Sequence, residues 1–133
     1  MTGVANAIVL VVDDDARMRE LERRILATGP YRVLEAPGAP AAFAMLASGQ
    51  HLDLLIADLD MPELSGEEMV LRIRAARPGL KVLYVSGNVD RLLDARKILD
   101  EGEAFLDKPF TSKGLLEAVS LLLYDTLTPP RRP

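Results

Sequence analysis

The chain has no cysteine and no tryptophan, a single histidine, and only three Phe and three Tyr among its 133 residues. Without cysteine, neither a disulfide framework nor a thiolate metal site can form. Long hydrophobic runs are missing as well. The longest, such as Ile8 to Val12, are far too short to cross a bilayer. The opening MTGVANA has neither the basic start nor the extended apolar stretch of a secretory signal. No membrane association and a cytoplasmic location are therefore expected. Nor is there an excess of positive charge: 16 Lys and Arg face 20 Asp and Glu, for a net charge of −4. The bases Arg17, Arg19, Arg23, Arg24, Arg91 and Arg96 are scattered over predicted helices, and Arg131 and Arg132 lie in a Pro-rich ending. With no basic stripe interleaved with aromatics, no direct contact with nucleic acid is expected.

What is present is a composition that is 49% hydrophobic, enough for a sizeable core in one ordinary domain. Five short apolar runs, at 7–12, 31–35, 53–57, 80–85 and 104–106, are rich in Val, Ile and Leu and read as strands buried on both faces. Between them the apolar residues recur at helical spacing. Met18, Leu21 and Ile25 mark a first helix, and Ala42 and Leu46, or Phe43 and Ala47, a second. Met69, Ile73 and Ala76 mark a third, Leu92, Ala95 and Leu99 a fourth, and Leu115, Val119 and Leu122 a fifth. Met18 and Leu21 are accordingly expected in the core. Gly29-Pro30, Pro62, Pro78-Gly79 and Gly102 punctuate the connections. A strand–helix unit repeated five times requires a parallel sheet with helices on both faces, a doubly wound α/β fold. The domain is expected to span 7–125, with an N-terminal extension at 1–6 and a flexible tail at 126–133.

Ligands of such sheets gather at the carboxyl ends of the strands. Asp13, Asp14 and Asp15 follow the first run, Asp58 and Asp60 the third, Ser86 and Gly87 the fourth, and Lys108 with Pro109 the fifth. Three adjacent aspartates are costly: two carboxylates about 4 Å apart at an effective dielectric near 20 repel by on the order of 4 kcal/mol. Capping the helix that follows accounts for one of them and leaves two unexplained. Clustered carboxylates with no thiolate or nearby histidine suit a hard cation, and Mg²⁺ in particular where water positions stay open. Such an ion offsets the repulsion and can bridge to a phosphoryl oxygen, while a carboxylate acts as nucleophile and Lys108 and Ser86 meet the other oxygens. His51, in a loop away from these residues, is expected to be solvent-exposed.

The stretches "VVDDD", "LLIADLDMPELSG", "VLYVSGN" and "AFLDKPF", in this order and spacing, resemble the receiver domain of two-component response regulators across residues 7–125. The "VSGN" and "LDEGEAFLDKPFT" stretches are most similar to receivers attached to hybrid histidine kinases. The resemblance implies a flavodoxin-like (βα)5 fold with strand order 2-1-3-4-5. It implies that Asp58 accepts a phosphoryl group from a histidine kinase or histidine phosphotransfer protein. It implies Mg²⁺, or Mn²⁺, held by Asp14, Asp58 and the Asp60 backbone carbonyl, with Asp13 acting through water. Lys108 would pair with the phosphoryl group and Ser86 would hydrogen-bond it, while Phe105 stands where the family keeps a rotamer-switching aromatic. Asp60 and Asn88 would border the path of the hydrolytic water. The output surface would be the fourth helix, fifth strand and fifth helix, where Arg91, Arg96 and Lys97 meet an effector or a second copy. The chain departs from the family pattern at "ELSG", at Gly87 where alanine is frequent, and at Phe105, which lacks the hydroxyl of the usual tyrosine.

Two other functions compete. A phosphatase of the haloacid-dehalogenase type also uses "DLD", but carries it on the first strand with acidic ligands later, the reverse of the order here. A receiver-like scaffold that binds without phosphorylation would not need the acids, the serine and the lysine together.

Overall fold

The computed structural model describes residues 6–62, 65–88, 90 and 102–130. The expected fourth helix, with Arg91, Arg96 and Lys97, lies outside the described residues. Five strands, β1 (Ala7–Val12), β2 (Tyr31–Ala36), β3 (Leu54–Asp58), β4 (Lys81–Ser86) and β5 (Glu103–Asp107), form one parallel sheet in the order β2-β1-β3-β4-β5. Four described helices accompany them: α1 (Ala16–Leu26), α2 (Ala39–Ala47), α3 (Gly66–Ala76) and α4 (Ser112–Tyr124), the last being the fifth helix of the sequence pattern.

Alternation along each strand divides the core into two layers. Leu10 and Val12 of β1, Leu55 and Ala57 of β3, and Val82 and Tyr84 of β4 pack with Ala39 and Ala42 of α2 and Met69, Val70 and Ile73 of α3. Their neighbours Val9 and Val11, Leu54 and Ile56, and Leu83 and Val85 pack on the other face with Ile25 and Leu26 of α1 and Leu115 and Val119 of α4. The three central strands are thus buried on both faces, as expected. The outer two are not: Arg32 and Glu35 of β2 are exposed and β5 is largely half-buried, because each has a strand on one side only.

Helix α1 is turned differently from the sequence expectation. Its buried residues are Glu22, Ile25 and Leu26, while Leu21 is 46% exposed and Met18 half-buried. The spacing 22, 25, 26 is as helical as 18, 21, 25. Apolar spacing places Leu21 in the core, whereas the fold turns Leu21 outward and buries Glu22.

Local capping fixes where the helices start, and so where the loops of the site end. The Asp15 carboxylate accepts from the Arg17 and Met18 amides, the Ser65 hydroxyl from Glu68 N at 3.2 Å, and the Thr111 hydroxyl from Gly114 N at 2.9 Å. Gly66 opens α3 against the end of β3. A Cβ there would lie 2.6 Å from the Asp58 carbonyl oxygen, so "SG" in "ELSG" supplies both a cap and the close approach that seats Asp58.

Candidate phosphoacceptor site

The carboxyl end of the sheet brings together most of the residues singled out from the sequence. Asp13 and Asp58, at the ends of adjacent strands β1 and β3, are 1% and 2% exposed. Asp14 is exposed. Each of the three offers a carboxylate oxygen within 4.8 Å of the others. Between the two buried acids sits the Lys108 ammonium, 3.2 Å from Asp58 Oδ1 and 3.5 Å from Asp13 Oδ2. Lys108 is held there by the continuation of the β4–β5 ladder, its amide donating to the Ser86 carbonyl at 2.9 Å. The Lys108–Pro109 peptide bond is cis.

The electrostatics follow from burial. Desolvation, opposed by a hydrogen bond from the Asp15 amide and reinforced by the charge of Asp58, raises the Asp13 carboxyl to about 6. Burial by itself would lower the Lys108 pKa, but Asp13 and Asp58 outweigh it and hold the ammonium above the usual lysine range. One cation for two buried carboxylates leaves the pocket electron-rich, and Asp13 Oδ2 is buried without a hydrogen-bond donor. An oxygen-only donor set with a buried carboxylate oxygen that is ion-paired at 3.5 Å but not hydrogen-bonded, and an exposed third acid, fits a hard divalent cation.

Arg19 supports the pocket from α1. Its Nη1 donates to the Asp13 carbonyl at 2.7 Å and its Nε lies 3.6 Å from Glu35. Behind the pocket lies Glu22, 1% exposed, whose carboxyl is raised to about 8 chiefly by desolvation and then by the charge of Asp13. Sequence reading passed over Glu22, although its position three and four residues before Ile25 and Leu26 was the available signal.

Ser86 is fully buried at the end of β4, yet its hydroxyl does not meet Asp58. It donates to Asp60 Oδ1 at 2.6 Å and accepts from the Asn88 amide at 2.9 Å. The other Asp60 oxygen, Oδ2, accepts from the Gly87 amide at 2.9 Å. The Asp60 amide in turn donates to Asp58 Oδ1 at 2.9 Å. Phe105 is half-buried, opposite Tyr84 in the β4–β5 register and two residues before the Ser86–Asp107 pair. His51 is exposed and lies 3.0 Å from Asp53 Oδ1, remote from the pocket.

Comparison with known proteins decides what this pocket belongs to. The model of the response regulator receiver domain matches residues 9–120. The chain belongs to the response regulator receiver family. It is a receiver domain of two-component signalling, a phosphoacceptor switch, and the pocket of Asp13, Asp14 and Asp58 fits a magnesium-assisted phosphoacceptor site. The chain is 34% identical to the DNA-binding transcriptional regulator NtrC of Azospirillum brasilense over 93% of its own length and 25% of that protein's. It is 32% identical to the sensor kinase CckA of Brucella abortus over 89% of its length and 13% of that protein's. The receiver therefore spans a quarter or less of these two relatives, one a transcriptional regulator and one a kinase. Among solved structures, the response regulator TrrA of Thermotoga maritima in complex with Mg²⁺-BeF superposes with a TM-score of 0.75. It is 28% identical, over 88% of this chain and 99% of that one. No described helix is long and apolar enough to cross a membrane.

The contrast between buried Asp13 and exposed Asp14 sets the size of one expected effect. Repulsion among the acids predicts from sequence that removing Asp14 stabilises the apo fold by at most a few kcal/mol, heavily discounted at a solvent-accessible site. Solvent screening at an exposed carboxylate reduces this to about 1 kcal/mol or less. Asp14→Ala is accordingly expected to weaken Mg²⁺ binding at least about tenfold while shifting the apo melting temperature by only a few degrees. Mg²⁺ titration followed calorimetrically, with a melting curve in EDTA, checks both. Unchanged Mg²⁺ affinity would remove Asp14 from the ligand set.

Proposed function

We propose that Asp58 is the phosphoacceptor and that the remaining groups of the pocket serve its phosphorylation. The observation that carries this reading is the Lys108 ammonium seated between Asp58 and Asp13, at 3.2 and 3.5 Å, with Asp14 completing the acid cluster. Asp14, Asp58 and the Asp60 backbone carbonyl would hold Mg²⁺ or Mn²⁺, and Asp13 would act on it through water. When bound, the ion would supply positive charge that offsets the acids and the charge of an incoming phosphoryl group.

In the transfer step an Asp58 carboxylate oxygen attacks the phosphorus of a phosphohistidine. The P–N bond breaks, and its electron pair stays on the imidazole nitrogen, which is protonated as it leaves. The donor is the phosphohistidine of a histidine kinase or of a histidine phosphotransfer protein. Lys108, already an ammonium at Asp58, pairs with the added charge at no cost in proton movement. Asp60 and Asn88 border the approach of the water that later hydrolyses the acyl phosphate, so the domain catalyses both its own modification and its reversal.

The functional unit is 7–125, acting in the cytoplasm. Ser86 and Phe105 relay the state of Asp58 to the segment between β4 and β5, to β5 and to α4, the surface that meets an effector or a second copy. Asn88→Ala is expected to change the rate of dephosphorylation more than that of phosphorylation, which phosphate release and uptake assays read separately. Equal effects on both steps would contradict that placement.

Incubation with acetyl phosphate and Mg²⁺ tests the reading as a whole. A single phosphoryl group per chain that disappears with EDTA supports it. Turnover of many phosphodonor molecules without a trapped species points instead to a phosphatase, and absence of any uptake to a binding scaffold.

A further inference from the structure

The hydroxyl of Ser86 carries one proton, and Asp60 Oδ1 at 2.6 Å is its near acceptor, with the Asn88 carbonyl a longer alternative at 3.4 Å. The Oγ–Oδ1 distance of 2.6 Å is short, as expected when the acceptor is charged. The neighbouring Gly87 amide is spent on the same carboxylate, at 2.9 Å. Asp60 thus grips the end of β4 with both oxygens. Its own amide holds Asp58 Oδ1, which ties the grip to the acceptor strand. Ser86 is fully buried, so its hydroxyl needs a good acceptor, and the carboxylate at 2.6 Å is a far better one than the Asn88 carbonyl at 3.4 Å.

A phosphoryl group on Asp58 adds charge and three acceptor oxygens at this spot. Lys108 is available to one of them. The Ser86 hydroxyl and the Gly87 amide are the adjacent donors on the next strand, since β3 and β4 pair directly up to Asp58 and Val85. Each has a single hydrogen, so neither can serve Asp60 and the phosphoryl group fully at once.

We propose that the Asp60 carboxylate is a positioning group that occupies the Ser86 and Gly87 donors in the unphosphorylated state and must release them when Asp58 is phosphorylated. Asp60 holds the loop after β4 in place and makes the switch conditional, because the phosphoryl group has to outcompete an anion already in place. A Cβ at Gly87 would meet Asp60 Oδ2 at 3.9 Å and the Lys108 Cβ at 3.7 Å, ordinary van der Waals distances, so the position takes part in the exchange through its amide and not through the absence of a side chain. The inference rests on Asp58 being the acceptor.

Two measurements test it, one of which needs no phosphoryl chemistry. In the apo protein the Gly87 amide proton resonance should lie downfield, and Asp60→Ala should move it upfield. A Gly87 resonance unmoved by Asp60→Ala overturns the contact. The second is beryllofluoride titration at saturating Mg²⁺, in five proteins: wild type, Asp60→Ala, Ser86→Ala, the double variant and Asp58→Asn. Mg²⁺ affinity is measured separately in each, because Asp60 also contributes negative charge. Asp60→Ala is expected to bind beryllofluoride about three- to tenfold more tightly when Ser86 is present, and to gain clearly less when it is absent. An equal gain in both backgrounds, no gain, or weaker binding overturns the proposal. Undiminished binding to Asp58→Asn, by contrast, would overturn the acceptor assignment and leave the Gly87 measurement to decide the contact by itself.

Discussion

Asp58→Asn is expected to abolish phosphoryl uptake from acetyl phosphate or a kinase while leaving the fold in place. The amide is close in shape to the carboxylate. Its oxygen can still accept from the Asp60 amide and face the Lys108 ammonium, which lie 2.9 and 3.2 Å from Asp58 Oδ1. It is not a nucleophile at neutral pH, and it removes one of the anions that would hold a cation. The substitution also takes away a charge that raises the Asp13 carboxyl, so the apo protein should melt no lower than wild type. Intact-mass measurement after phosphodonor treatment, with thermal melting in EDTA, reads both halves. Uptake at the wild-type extent would remove Asp58 from the role of nucleophile.

The second large effect concerns stability. Glu22→Leu is expected to raise the melting temperature by about 10 °C at pH 8 and by much less near pH 5. Glu22 is packed into the layer between the sheet and α1, 1% exposed, with Oε2 lacking a hydrogen-bond partner. Its carboxyl is raised from 4.5 to about 8 by desolvation first and by Asp13 second. The sign follows from proton binding. Between about 4.5 and 8 the folded protein keeps a proton that the unfolded chain has released, so stability falls as pH rises through this window. Below the window both states are protonated and the loss vanishes. Over the whole window the loss is on the order of a few kcal/mol, and leucine of similar volume escapes it while adding apolar burial. Asp13 titrates in both proteins and largely cancels from the difference. Melting curves of the two proteins across pH 5 to 8.5 in EDTA check this. A pH-independent difference, or a Glu22→Leu protein that melts lower at pH 8, would contradict the argument.

These two residues mark what the sequence discloses and what it hides. Asp58 is legible because a strand of Leu, Leu, Ile and Ala runs straight into it. Continuous apolar runs, buried on both faces in the three central strands, make their carboxyl ends unmistakable, and those ends carry Asp13, Asp58 and Ser86. Lys108 is legible for the same reason, one residue beyond β5. Glu22 is not, since an apolar count on α1 favours Leu21, and only the seating of the helix on β1 and α4 decides which face turns inward. The hold of Asp60 on Ser86 is hidden too. It joins residues 26 apart through side-chain directions that no periodicity encodes, and the sequence places Ser86 near Asp58 without telling which oxygen its proton favours. The edge character of β2 and β5 is half legible: Arg32 and Glu35 interrupt the second apolar run, yet its neighbours suggested full burial.

The identity of the acceptor is tested most directly by chemical trapping. Borohydride reduces an aspartyl phosphate to the alcohol, so the phosphorylated residue becomes homoserine and can be placed by peptide fragmentation. After loading with acetyl phosphate and Mg²⁺, homoserine is expected at position 58 alone, and absent when EDTA replaces Mg²⁺. Homoserine at 13, 14 or 60, or a phosphorylated protein that yields none, would contradict the assignment.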